Sequence, residues 1–171
     1  MKQIIILIIV ALGVVIFGNQ TEYVEIPASS IRMRVIAASD SEEDQMEKKI
    51  VKSFVEDILY DFIDGNTDEQ AIENLILENK DIIDSKIKEK MQEIDLDALY
   101  SSNFGYNYFP EKEFKGLNYK SGYYKSFVVT LDEGEGENWW CVLYPPLCLV
   151  DENKDDYEYH SLIKDTILKY N

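Results

Sequence analysis

The chain has 171 residues and a formal net charge of −16, from 33 acidic and 17 basic side chains. This length predicts one domain that is large enough to bury a hydrophobic core. The acidic balance argues against nucleic acid and against an anionic membrane surface as partners, because both attract a surplus of basic side chains. A hydrophobic content of 46% and an aromatic content of 12% argue against disorder.

The N-terminal segment contains an uncharged apolar run, Ile4–Gly18, after Lys2. The run is shorter than the roughly 20 residues of a membrane-spanning helix and is typical of a signal-peptide core. Phe17–Gln20 is a poor cleavage site. Residues 1–18 are therefore predicted to be a signal peptide or a retained membrane anchor, and residues 19–30 a linker. The rest of the chain is expected outside the cytoplasm, with membrane contact only through this segment.

The main domain is predicted to begin with a strand, Ile31–Ala38. Alternation along the strand places Arg32 and Arg34 on one face and apolar side chains on the other. The two arginines have two interpretations: an ion-pair network with the nearby Asp40, or a site for an acidic partner. The acidic residues up to Asp44 favour a helix start over a calcium loop, since the loop's alternation and glycine are missing.

Two helices are predicted next. The first carries an apolar residue at every fourth position and is expected to end near Gly65. Its predicted stripe is Met46, Ile50, Phe54, Ile58 and Phe62, with Val51, Val55 and Leu59 beside it. A capping box at Thr67–Gln70 predicts the start of the second helix, and the polar stretch Glu78–Asp81 is the place for a bend or break.

The second half of the chain is predicted to be mainly strands. The expected strands are Leu96–Phe109, Tyr123–Leu131 and Asn138–Tyr144. Pro110–Gly116 is expected to be a loop, and within residues 151–171 the stretch Tyr157–Lys169 is either a weakly amphipathic helix or a loose acidic tail. The order of strand, two helices and then strands predicts an α+β fold. Its sheet should be mostly antiparallel, with the helices packed on one sheet face.

The stretch Asn138–Cys148 contains both tryptophans, both cysteines and two of the four prolines of the chain. Trp139 and Trp140 are adjacent on a predicted strand and so point to opposite faces. One can fill the core while the other covers a second surface. The stretch is interpreted either as a core strand with a stapled turn or as a docking surface formed by one Trp and the Pro145–Pro146 corner.

Cys141 and Cys148 are predicted to lie close enough to form a disulfide, because Pro145–Pro146 turns the chain midway between them. A location outside the cytoplasm favours the bridge. The alternative is two buried free thiols. A Cα–Cα distance above about 7 Å would exclude the bridge.

No catalytic, cofactor or metal site is predicted. The one histidine, His160, lies in the acidic tail, which argues against a Ser-His-Asp or Cys-His site. The two cysteines have no neighbouring histidine with which to bind zinc. The turn around Gly134–Gly136 is surrounded by glutamates and joins two strands, which argues against phosphate binding. A carboxylate pair of the glycosidase type remains as an alternative, although no spacing singles out one pair.

Two sequence blocks are long and have unusual composition. The first is Asn138–Cys148 together with the preceding glycine-rich turn Glu133–Glu137. The second is Ile31–Gln45. Together with the fragment Gly122–Ser126, both blocks resemble the stage II sporulation protein R family. The resemblance therefore covers residues 31–150, which we assign to a domain of this type.

The resemblance implies a function. Members of the family are signals sent from the forespore to the mother cell of endospore-forming bacteria, in the space between the two membranes. They trigger a membrane-embedded aspartic protease, stage II sporulation protein GA, to remove the pro-sequence of mother-cell sigma factor E. The resemblance thus implies a binding protein rather than an enzyme, and an exported cell-wall hydrolase that uses carboxylates is the alternative. The expected partner-binding residues are Arg32, Arg34, Asp40, Asp44, Trp139, Trp140, Pro145 and Pro146.

Overall fold

A computed structural model of the chain describes residues 26–114, 117–150 and 155–170. The elements follow in the order β1 (Ile31–Ile36), α1 (Glu42–Ile63), α2 (Glu69–Glu78), α3 (Lys80–Glu93), β2 (Tyr100–Phe109), β3 (Lys112–Phe114), β4 (Leu117–Tyr119), β5 (Gly122–Leu131), β6 (Asn138–Tyr144), a 3-10 helix (Leu147–Leu149) and α4 (Asp156–Tyr170). This order confirms the predicted α+β class. The predicted signal peptide or anchor, residues 1–18, lies outside the described residues. Within the described ranges, no helix combines the length and apolar composition needed to cross a membrane.

The main sheet has four strands in the order β2-β5-β1-β6. β1 runs parallel to β5 and antiparallel to β6, and β2 runs antiparallel to β5. The sheet is therefore mostly antiparallel, as predicted, and the first strand lies in its centre. β3 and β4 pair as a separate two-stranded sheet. The prediction of a loop over Pro110–Gly116 is thus wrong for Lys112–Phe114, which pairs with the chain that follows.

The main hydrophobic core lies between α1, α2, α3 and one sheet face. β1 contributes Ile31, Met33 and Val35, all fully buried. This confirms the predicted division of β1 into an apolar and an arginine-bearing face. β5 and β6 add Phe127 and Leu143 to the same core.

The buried stripe of α1 differs from the predicted one. Val51, Val55 and Leu59 are fully buried, whereas Met46 is 57% and Ile50 is 44% exposed. Val51, Val55 and Leu59 also recur every four residues, but each lies one position after a member of the predicted stripe. One position turns a helix by about 100°, so the packed face is rotated toward these residues and away from Met46 and Ile50.

The helix boundaries follow local signals. α1 ends before Gly65, whose φ of +76° lies in the left-handed region that glycine tolerates. Asp68, rather than Thr67, caps α2: its Oδ2 accepts a hydrogen bond from the backbone N–H of Ala71 at 2.7 Å. The polar stretch expected to bend or break the second helix separates α2 from α3 at Asn79.

A smaller second core lies on the arginine-bearing face of the sheet. It centres on Val142, which pairs with Arg32 in the register of β1 and β6. α4 contributes Tyr159, Ile163 and Ile167. Of the two alternatives for the C-terminal stretch, the structure therefore shows the helix. α1–α3 pack on the first face, and α4 packs into the second core.

Candidate functional site

The sheet brings the two sequence blocks side by side. β1 and β6 are neighbours, and Arg34 pairs with Trp140 while Val35 pairs with Trp139. Trp139 packs against the main core. Trp140 faces the second side of the sheet, where its ring contacts Phe109. The adjacent tryptophans thus serve opposite faces, as the strand alternation predicts.

Aromatic rings surround the two arginines. The Arg32 guanidinium carbon lies 3.3 Å from the ring centroid of Tyr124. The Phe109 ring centroid lies 5.3 Å from the Arg32 guanidinium carbon and 5.0 Å from that of Arg34. Phe109 and Trp140 meet edge to face, with their centroids 5.5 Å apart. These are cation–π and aromatic distances, so the face is a connected cationic and aromatic cluster.

The predicted ion-pair network between the arginines and Asp40 is wrong. Among the described residues, the ion pairs join other side chains and neither Arg32 nor Arg34 takes part. Asp40 lies beyond the end of β1, where it accepts a hydrogen bond from the backbone N–H of Glu137 at 2.6 Å. Burial lowers the pKa of both guanidinium groups. The arginines are therefore cations in partly dry surroundings whose neighbours are aromatic rings.

A cavity of about 140 Å³ opens beside Trp140. Arg32, Phe109, Lys112 and Asn138 contribute to its walls. The Lys112 ammonium lies 4.9 Å from the centroid of the Trp140 ring, and Lys112 is exposed. Two cations and no carboxylate of the described residues line this cavity, so it is a positive site in an acidic protein.

Three buried polar atoms around this cluster have no hydrogen-bond partner within the described part of the chain. They are Nε1 of Trp140, Oδ1 of Asn138 and Nε of Arg34. Trp140 and Asn138 both line the cavity. Native proteins pair the large majority of such atoms, since each unpaired one costs about 1–3 kcal/mol. Their concentration here marks a candidate site.

The junction between β1 and α1 is tied to the acidic loop before β6. Ser41 caps α1, its Oγ accepting from the backbone N–H of Asp44 at 3.1 Å. The hydroxyl of Ser39 donates to the Asp44 carboxylate. The backbone N–H of Gly136 donates to the carbonyl of Ala37 at 3.0 Å. Asp44 thus has a local structural role at this junction, and its contact with a partner remains a proposal.

The Pro145–Pro146 corner lies at the opposite end of β6 from that junction. Tyr144, the residue before it, pairs with Ile31 at the start of β1. Pro145 is buried and Pro146 is half-buried. The structure therefore brings Arg34 together with Trp140, but it does not join the acidic junction and the proline corner into one patch with them.

Cys141 and Cys148 form a disulfide, with a Cα–Cα distance of 5.4 Å. This distance confirms the prediction that the two residues lie close enough for a bridge. The bond joins β6 to the 3-10 helix that follows the proline corner. The stapled turn of the first interpretation is therefore present, and the docking surface of the second interpretation stays a prediction.

A second cavity of about 80 Å³ lies near the end of α1, with Asp64 and Tyr60 among its walls. Among the described residues, Asp64 is the one carboxylate residue that lines it. The described side chains thus give neither of these two cavities the carboxylate pair that a glycosidase uses. Across the described ranges, no group of three or more His, Cys, Asp or Glu side chains could hold a metal ion. His160 lies within α4, and its side chain is outside the described part.

Sequence reasoning missed Phe109, Lys112 and Asn138 as site residues. Asn138 could have been found, since it lies two positions from Trp140 on one strand and so shares its face. Phe109 and Lys112 reach the site through tertiary packing of the end of β2 and of β3. No local pattern in the sequence identifies such long-range partners.

Comparison with known proteins gives a consistent result. A family model described as stage II sporulation protein R (spore_II_R) matches residues 27–154. Stage II sporulation protein R of Bacillus subtilis (strain 168) is 32% identical over 133 residues, which is 78% of this chain. The match covers 59% of that relative, so the chain spans less than two thirds of its length. No solved structure shows a significant match. The chain belongs to the stage II sporulation protein R family.

Proposed function

We propose that the chain is an exported sporulation signal that activates a membrane-embedded aspartic protease of the stage II sporulation protein GA type. The protease would then remove the pro-sequence of mother-cell sigma factor E. The observation that carries the proposal is the family membership, because the match includes both blocks on which the resemblance rests. The exported carboxylate-dependent hydrolase is less well supported, since the part of the chain that the structure describes does not place two carboxylates in either cavity.

Activation in this proposal is a binding event. A ligand shifts a protein toward its active state only by binding that state more tightly than the inactive one. The contact surface proposed here is the second sheet face, with Arg34, Trp140 and Lys112. Aromatic and arginine side chains are enriched among the few residues that dominate interface energies. Trp139 is assigned to the core instead, because it packs against the main hydrophobic cluster.

Co-expression of the full chain with the protease and the pro-sigma substrate tests this surface. Trp140→Ala and Arg34→Ala are each expected to reduce cleavage about tenfold or more at limiting expression, since truncating an interface anchor costs about 2 kcal/mol. Lys86→Ala is the control, because Lys86 is exposed on α3, away from the second face. Each variant must melt cooperatively near the wild-type temperature. Normal cleavage by both stable variants would show that this surface is wrong.

Export is the second part of the proposal. Residues 1–18 would direct the remainder of the chain out of the cytoplasm, since they contain the uncharged apolar run. A phosphatase that is active only outside the cytoplasm, fused after Asp151, is expected to be active. Deletion of residues 4–18 should abolish that activity. A fusion that stays cytoplasmic with the segment intact would contradict this part.

A further inference from the structure

The cavity beside Trp140 has a charge opposite to that of the whole chain. Its walls carry Arg32 and Lys112 and no carboxylate of the described residues, whereas the chain has a formal charge of −16. The Arg34 guanidinium carbon lies on the same sheet face, 5.0 Å from the ring centroid of Phe109. A concave site lined by one sign of charge concentrates ligands of the other sign. The cavity therefore favours an anionic group.

The unpaired atoms of Trp140 and Asn138 restrict the chemistry of the ligand beyond its charge. Trp140 Nε1 is a donor that needs an acceptor, and Asn138 Oδ1 is an acceptor that needs a donor. Both atoms are covered in the chain without ligand, so the half-buried Trp140 and Asn138 side chains have to turn toward the cavity for a ligand to reach them. An anion without a proton to donate, such as sulfate or chloride, would satisfy the indole and leave the amide oxygen unpaired. A peptide with an acidic side chain satisfies both, because its carboxylate accepts hydrogen bonds and its main-chain N–H donates one.

The walls and mouth of the cavity also fit a peptide. A volume of about 140 Å³ is far above the space needed for one water and admits a side chain. Phe109 and Phe114 offer apolar walls for a neighbouring residue of the ligand. Lys112 is exposed, so the accessible cation lies at the mouth. This position suits a side chain inserted from a segment that passes over the opening.

We propose that this cavity binds an acidic side chain from a peptide segment of a partner protein. The carboxylate accepts hydrogen bonds from the Trp140 indole N–H and the Lys112 ammonium. A neighbouring main-chain N–H donates to Asn138 Oδ1. The assignment of the segment to the protease rests on the proposed function, whereas the binding chemistry rests on the cavity alone.

Nuclear magnetic resonance of the two tryptophan indole N–H groups gives a direct assay of peptide binding. The full chain is used and is kept in solution with a mild detergent. The probe is the blocked peptide acetyl-Gly-Ser-Glu-Phe-Ser-Gly-amide, and its matched control replaces Glu by Gln. We expect the Trp140 indole resonance to shift and that of Trp139 to stay in place. The Gln peptide should bind about tenfold more weakly or worse, because it loses hydrogen bonds to a charged acceptor.

Three variants assign the contacts by fluorescence anisotropy of a labelled Glu peptide. Trp140→Phe keeps an aromatic ring but removes the N–H, and should weaken binding about tenfold. Lys112→Gln should weaken it about fivefold, as expected for a more solvated charge contact. Lys86→Gln removes the same charge from α3 and should leave the affinity unchanged. Lys112 is exposed, so its variant tests the site without disturbing the core.

Several results would overturn the inference. These are equal binding of the Glu and Gln peptides, unchanged affinity in both cavity variants, and binding only of a control peptide with a free C-terminal carboxylate. If the Glu peptide binds only after Asp151→Asn and Glu152→Gln, the occupant is the chain's own acidic segment and a partner is excluded. Cleavage in the co-expression assay is read separately. Peptide binding with normal cleavage in Trp140→Phe would support the cavity and contradict its assignment to the protease.

Discussion

Asp84 shows how single residues join the helices to the sheet. Its carboxylate receives hydrogen bonds from Lys80 at 2.6 Å, from Ser102 at 2.6 Å and from Tyr100 at 2.8 Å. Burial alone would raise the pKa of this carboxyl, but the three donors outweigh it and hold the pKa below its ordinary value. The ionised form of Asp84 therefore ties α3 to β2.

Asp84→Asn is expected to lower the free energy of unfolding at pH 7 by about 1–3 kcal/mol, the range for losing charge-assisted hydrogen bonds. The folded-state pKa is depressed, so this stabilisation is present above the unfolded pKa of about 3.9 and disappears as pH falls through the lower folded value. Urea unfolding at pH 7 and near pH 3 measures the difference. The exposed Asp61→Asn is the control. If Asp84→Asn lost the same unfolding free energy at both pH values, the ionised carboxylate would not be the source of the stabilisation.

Gly136 is a second residue with a decisive local role. A Cβ at this position would lie 2.2 Å from the backbone carbonyl oxygen of Ser39, which belongs to the β1–α1 junction. Gly136→Ala is therefore expected to cost about 1–3 kcal/mol of stability, because the loop must move away. Gly105→Ala, where nothing lies within 4 Å of the added Cβ, should change stability by less than about 1 kcal/mol. Thermal melts of both variants measure the difference in stability. Equal melting temperatures would contradict the close approach of Gly136 to the Ser39 carbonyl.

At the scale of elements, α1 is held by a narrower apolar face than its sequence indicates. Val51, Val55 and Leu59 are buried against the sheet, while Met46 and Ile50 are exposed near the helix start. These buried residues form a stripe rotated by about 100° from the predicted one, because each lies one position after a member of it.

Leu59→Ala should destabilise the protein by about 2–4 kcal/mol, since it removes buried methyl groups and leaves a cavity. Met46→Ala, at a position 57% exposed, should stay within about 0.5 kcal/mol of wild type. Urea denaturation of the two variants compares the faces directly. Similar losses in both would show that the N-terminal turn of α1 is packed after all.

The elements divide into those that local pattern predicts and those that it does not. β1 and β5 follow from alternation, β6 follows from an apolar run that ends at Pro145–Pro146, and the helix break at Asn79 follows from a polar stretch. The β3–β4 pair has no run long enough to signal a strand. The central place of β1 depends on a parallel pairing with β5, far along the chain, and pairings of that kind leave no local trace. The arginine surroundings were mispredicted for the same reason, because Phe109 reaches them from another strand.

At the scale of the whole molecule, one sheet separates two unlike sides. The first side is covered by α1–α3 and holds the main core. The second side is covered in part by α4 and by β4, and it contains the positive cavity. The chain thus concentrates cations on one local surface while its total charge is strongly negative.

The net charge of −16 predicts a response to salt. Like charges repel in the compact state, and raising NaCl from about 0.02 to 0.5 M shortens the screening length several-fold. The melting temperature should therefore rise by a few degrees. Asp57→Asn combined with Asp61→Asn, both at exposed positions, should show a smaller rise. A melting temperature that is constant or falls with salt would contradict this effect of charge repulsion. Binding of the acidic peptide should weaken over the same range of NaCl concentration.

The central place of β1 in the sheet also determines when the strands can pair as the protein is synthesised. Met33 pairs with Phe127 on one side and with Cys141 on the other, so both neighbours of the first strand come from the last third of the chain. A polypeptide that leaves a ribosome or a membrane channel amino end first exposes β1 long before either neighbour emerges. Long-range pairings of this kind form slowly. The topology therefore postpones completion of the sheet until β6 has emerged.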